Sequence, residues 1–81
     1  MTTTLERVRK VAAREFNVDA AGLTAASEAA DVSGWDSSTH LVLMMALEDE
    51  FGIAFELDEV TELNSIGAIA DAIDARAAGR S

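Results

Sequence analysis

Within "GWDSSTHLVLMMALEDEFGI", residues 34 to 53, three side chains could do chemistry together: Asp36, Ser37 and His40. A hydroxyl with a carboxylate beside it and an imidazole three positions on has the residue types of a nucleophilic triad. A working triad, however, needs its base held by a third group in a shaped site with an oxyanion hole. One exposed helical turn offers none of these, and a chain of 81 residues has no room for a deep walled pocket. The other chemistry open to Ser37 is to be modified. Free backbone N–H groups and the positive end of the helix dipole gather at a helix start and favour a phosphate there. Taken alone, Asp36, Ser37 and Ser38 read better as residues competing to cap the helix, because Asp-Ser at a helix start is common.

The elements that must position this serine are helical. A helix is predicted from Asp36 or Ser37 to Phe51, with Gly52 as the left-handed residue of its C-cap. Leu43, Met44, Leu47 and Phe51 form its core stripe. Leu41, Val42 and Met45 point elsewhere, and Glu48 and Asp49 continue their stripe one turn on. Neighbours could cover the whole girth of this helix, but only three and a half helices are available to do so, and the second stripe is expected to be a partly exposed docking patch. Apolar patches rimmed by charge mark interaction sites, and a flexible Met suits several partners.

An earlier helix is predicted over Thr4 to Phe16. A Thr3–Glu6 capping box starts it, Leu5, Val8, Ala12 and Phe16 share one face, and Asn17 stops it. The long connection that follows is pinned by Val18, Leu23 and Val32 and turned by Ser33-Gly34. Trp35 reads as a packed loop residue and Phe55 as core beneath the second and third helices. A short helix is expected at Leu57 to Glu62 with Asp58 at its start. The last begins at Asn64 or Ser65 and lines up Ile66, Ile69, Ile73 and Ala77. No segment alternates as a strand does. The fold class is therefore all-α: a small four-helix bundle of three main helices and one short one, a single domain over residues 1–81.

Composition narrows the function. Hydrophobic residues make up 49% with three Phe, one Trp and no Tyr, so the core is aliphatic, good for about 3–5 kcal/mol of stability. No cysteine is present, which excludes a thiolate nucleophile, a disulfide frame and Cys-ligated metal. Leu41 to Leu47 falls far short of the roughly 20 apolar residues of a membrane span. "MTTTLERVRK" lacks the apolar core of a signal peptide, so a cytoplasmic protein is expected. The net charge is −9, and residues 15 to 75 hold fourteen Asp or Glu with no Lys or Arg. Such a surface repels nucleic acid and anionic membranes and suits basic patches on other proteins. The acidity also keeps a small domain soluble.

"GWDSSTHLVLMMALEDEFGIAFELDEV" resembles the acyl carrier protein family in its Asp36-Ser37 pair, Leu41, Leu43, Leu47, Glu48-Asp49-Glu50 and Phe51-Gly52-Ile53. The long first loop and the closing "SIGAIADAI" extend the likeness over nearly the whole chain. The W-D-S-x-x-H form further resembles discrete carriers of natural-product and aminoacyl pathways. The resemblance implies that a phosphopantetheinyl transferase attaches 4′-phosphopantetheine from CoA to Ser37. The arm would carry acyl or aminoacyl groups as thioesters between a loading ligase or acyltransferase and downstream synthases, with no catalysis by the chain itself. It also implies that Glu48 and Asp49 dock basic patches on those enzymes, and that His40 either flanks the arm, meets a partner, or is a plain surface histidine. Two positions depart from the family pattern. Ser38 stands where Leu is usual, which changes the docking edge and adds a second, weaker candidate hydroxyl. Glu56 replaces the usual Pro after the second helix and should loosen the third segment. The short termini suggest a free-standing monomer. The alternative from another class is an unmodified acidic helical adaptor.

Overall fold

The computed structural model describes residues 3–79, with side chains through residue 76. Helix α1 (Thr4–Phe16) starts where the Thr3 hydroxyl accepts the Glu6 amide, one half of the expected capping box. It stops at Asn17, which takes the left-handed conformation at φ 57°. α1 buries Val8, Val11, Ala12, Ala13 and Phe16. It is the helix packed closely against both of its long neighbours, α2 (Ser37–Phe51) and α4 (Ile66–Gly79). From α2 come Leu43, Met44 and Leu47, and from α4 Ile66, Ile69, Ala70 and Ile73. Ala77 lies beyond the residues whose side chains are described. α2 is thus a flanking helix, and this leaves one of its sides for solvent.

The connection between α1 and α2 contains two single 3-10 turns, Ala20–Gly22 and Ala29–Asp31, that periodicity does not reveal. Three residues cannot show a repeat. Leu23 and Trp35 sink into the core, with Val18 and Val32 packed at its edge. Arg9 fastens the first turn from α1: its Nε donates to the Leu23 carbonyl at 2.7 Å and its Nη2 to the Ala20 carbonyl at 2.8 Å. Further on, the Ile66 and Gly67 amides donate to the carbonyls of Ser27 and Ala25. This brings the loop onto the start of α4, where the Ser65 hydroxyl accepts the Ala68 amide and so acts as the cap. A Cβ on Gly67 would lie 2.8 Å from the Ala25 carbonyl oxygen, so only glycine allows this approach without movement.

Helix α3 (Leu57–Glu62) has the expected bounds but a different start. Its cap is Glu56, not Asp58: the Glu56 side chain accepts from the Glu59 backbone while the Glu56 amide donates to Glu59 Oε1 at 2.9 Å. The glutamate that stands where proline is usual thus closes a capping box at the head of α3. Phe55, expected in the core, is half-buried with the Arg76 guanidinium 5.2 Å above its ring.

Candidate functional site

Asp36 is the N-cap of α2, and its extended backbone turns the chain into the helix. Its carboxylate accepts the Thr39 amide at 3.0 Å, and the Thr39 hydroxyl accepts the Asp36 amide at 2.8 Å. The same hydroxyl donates to the Gly34 carbonyl at 2.6 Å, tying the Ser33-Gly34 turn to the first helical turn. Gly34 itself sits at φ 90°, a conformation that favours glycine. Thr39 was not singled out from sequence, although Asp followed three residues later by Thr was there to suggest the reciprocal cap.

The cap settles what Asp36 does. The Thr39 amide, above all, holds its carboxyl below the ordinary carboxylate range, with the Thr39 hydroxyl and Ser38 amide adding to the effect. It stays ionised and is turned to the backbone, so it is a poor proton acceptor for Ser37. Ser37 occupies the first position of α2, exposed, and its hydroxyl bonds to no other described residue. Ser38 is also exposed.

His40 is neither a surface histidine nor a base for Ser37. Its Nδ1 lies 2.9 Å from the Trp35 indole Nε1 and its Nε2 lies 2.6 Å from the Val60 carbonyl oxygen. Indole N–H only donates and a carbonyl only accepts, so Nδ1 is bare and Nε2 carries the hydrogen. Both ring nitrogens are committed, and the triad reading ends there. Trp35 is stacked on Phe16 with centroids 5.1 Å apart.

Between α2 and α3 an open groove of about 650 Å³ begins at Asp36 and Ser37. Trp35, His40, Leu41, Leu57 and Val60 are among its walls. Because Trp35 and His40 satisfy each other and Val60, the groove offers largely apolar surface. Beyond it, Leu41, Val42 and Met45 are 52%, 49% and 58% exposed, and Leu57 at the tip of α3 is 78% exposed. Asp49 is exposed alongside them, but Glu48 is not free: it is half-buried and its Oε2 accepts the Phe55 amide at 2.8 Å. Glu50, the third acid of the run, pairs with Arg7 of α1 at 3.1 Å. Three consecutive acids thus have three settings, because successive helical positions point about 100° apart.

An exposed, uncommitted hydroxyl at the start of a 15-residue helix, beside an apolar groove, fits a tethered phosphate ester. The comparisons with known proteins agree with the geometry. Residues 6–73 match the family model described as the phosphopantetheine attachment site. The fold is similar to that of holo acyl carrier protein from Geobacter metallireducens, with a TM-score of 0.83 and 32% identity over 95% of this chain and 88% of that one. Proteins of this kind bear a covalent 4′-phosphopantetheine and carry groups for other enzymes without catalysing their transfer. The match over most of the chain, the helical bundle and the docked loop lead to one conclusion: this chain belongs to the phosphopantetheine-attachment family, as a carrier of the acyl carrier protein type.

Proposed function

We propose that Ser37 bears the arm, and that the chain acts as a monomeric, cytoplasmic shuttle for acyl or aminoacyl thioesters in fatty acid, polyketide or related natural-product biosynthesis. When bound, 4′-phosphopantetheine supplies the thiol that a chain without cysteine lacks. The observation that carries the reading is the Ser37 hydroxyl: exposed, without a hydrogen bond to any other described residue, directly after the Asp36 cap and at the mouth of the α2–α3 groove. Asp36 serves by fixing the helix start, and therefore the direction of the hydroxyl, rather than by taking its proton. The Ser37 oxygen attacks the CoA pyrophosphate, the phosphodiester forms and the adenosine bisphosphate leaves. Proton removal in that step belongs to the transferase.

Leu41, Val42 and Met45 form the apolar edge that partner enzymes cover, with Ser38 at its head, and Asp49 is the acid turned out to basic side chains. Glu48 contributes there only with the carboxylate oxygen that Phe55 leaves over. The partners are the phosphopantetheinyl transferase, a loading ligase or acyltransferase, and downstream synthases.

Incubation with CoA and a promiscuous phosphopantetheinyl transferase, followed by intact mass spectrometry, tests the assignment. Wild type and Ser38→Ala should gain one phosphopantetheine, and Ser37→Ala none. Modification of Ser37→Ala would move the site to Ser38, and an unchanged wild type with several transferases would defeat the proposal.

A further inference from the structure

α3 buries no residue fully: Val60 packs only at the edge of the core, and side chains from neighbouring elements reach across to hold the helix. From α4, Arg76 pairs with Glu59, and its Nε donates to the Ala54 carbonyl at 3.0 Å just before the helix. From α2, His40 reaches the Val60 carbonyl. The same imidazole receives the Trp35 indole N–H, with the two ring planes inclined by 25°.

We propose that His40 is the positioning residue of the modification site: its uncharged imidazole couples Trp35, at the end of the loop, to Val60 of α3, and so sets the groove wall beside Ser37. The coupling stands on this geometry; its bearing on modification rests on the Ser37 assignment. An imidazolium has two donors and no acceptor. Protonation therefore turns N–H toward N–H at the Trp35 contact, and the pair must separate. Trp35 is 4% exposed and stacked on Phe16, so the indole cannot simply turn out to water. α3, with no buried residue, is the wall that gives way.

The charged groups around the imidazole are otherwise engaged or point outward. Asp36, one turn earlier on α2, is committed to the Thr39 amide. On α3, Glu56 and Glu59 close the capping box, Glu59 also holds Arg76, and Asp58 and Glu62 are exposed. On the loop, Glu28 and Asp31 cap each other's turn. None of them hydrogen-bonds to His40.

The test uses the full chain, with His40→Ala and His40→Gln. A glutamine amide can accept from Trp35 and donate to Val60 but cannot become a two-donor cation as an imidazole can. Imidazole ¹⁵N shifts should report a bare Nδ1 and a protonated Nε2 at about pH 8. At that pH, the Val60 and Leu63 amides should exchange roughly tenfold faster in His40→Ala than in wild type, the effect of about one lost hydrogen bond, with His40→Gln close to wild type. Wherever the ¹⁵N shifts show the imidazole protonated, wild-type exchange should accelerate relative to His40→Gln. The wild-type to His40→Gln ratio of transferase modification rates should also change several-fold, and this ratio cancels the transferase's own pH profile. A protonated Nδ1 at pH 8, or α3 exchange unmoved by His40→Ala, would overturn the coupling. Exchange ratios that move while modification ratios stay flat would overturn the role at the site. Exchange ratios that move while wild type accepts no arm at any pH would uphold the coupling and remove the Ser37 assignment instead.

Discussion

Val8 of α1 and Ile69 of α4 are fully buried, whereas Met45 of α2 is 58% exposed and Leu57 at the start of α3 is 78% exposed. The α1–α4 half obeys the usual rule that apolar side chains are covered. The α2–α3 half splits its apolar residues between core and surface and adds polar side chains to the partial packing of Val60 in holding α3. The physical reason is the position of α1 between the other two long helices: α2 has one long helix packed against it, and only the short α3 beyond the groove. Core burial is non-directional and stabilises, while hydrogen bonds of the His40 and Arg76 kind place an element without adding much net stability. One half makes the protein fold, and the other leaves a wall held largely from outside and an uncovered apolar edge beside the serine.

Substitutions should separate the halves, from the largest effect on stability to the smallest. Leu47→Ala empties a fully buried position and should cost about 2–5 kcal/mol, comparable with the whole stability of so small a domain. Circular dichroism should show it largely unfolded at 37 °C; a native urea midpoint would contradict the core assignment. Gly67→Ala forces a methyl toward the Ala25 carbonyl and should cost about 1–3 kcal/mol, seen as a lower urea midpoint with unchanged slope. No loss there would mean that the loop does not dock on α4 as described.

The acid limb of stability sharpens the contrast. The Arg76 guanidinium, chiefly, holds the Glu59 carboxyl below its ordinary range, as the Thr39 amide does for Asp36. A folded pKa below the unfolded one means that the unfolded chain takes up protons first. The stability lent by these carboxylates is therefore complete above their unfolded values, about pH 4, and drains away as the pH falls through the folded ones. Glu59→Gln should be less stable than wild type near neutrality, with faster exchange confined to α3, and the difference should close as the solution is acidified. A gap that widens in acid would refute the ion pair.

Met45→Ser and Asp49→Lys, both on the uncovered edge, should stay within about 0.5 kcal/mol of wild type. Their effect should be on transferase and loading-enzyme turnover, and for Asp49→Lys it should shrink as salt rises. Full turnover by both variants would remove this edge from the docking surface.

Much of the frame was legible in the residues themselves. Asn17, Gly52 and Ser65 end or begin helices by local backbone chemistry, and the Val8–Ala12–Phe16 and Ile66–Ile69–Ile73 spacings place a face without knowledge of any neighbour. The Asp36-Ser37 pair likewise identified the helix start and its exposed hydroxyl. Glu48 and His40 were not legible in this way. Each bonds a backbone group elsewhere in the chain, Phe55 for one and Val60 for the other, and nothing in a one-dimensional pattern says which carbonyl or amide will come within reach.

The sequence by itself determined the helices, their caps, the aliphatic core stripe and the serine at the head of α2, because each depends on residues within a turn or two of one another. The tertiary structure alone decided that α1 is the shared neighbour, that Leu41, Val42 and Met45 stay uncovered, and that His40 bridges a loop tryptophan to α3. Those outcomes depend on how helices pack and what they leave outside, and packing is settled by contacts between segments far apart along the chain.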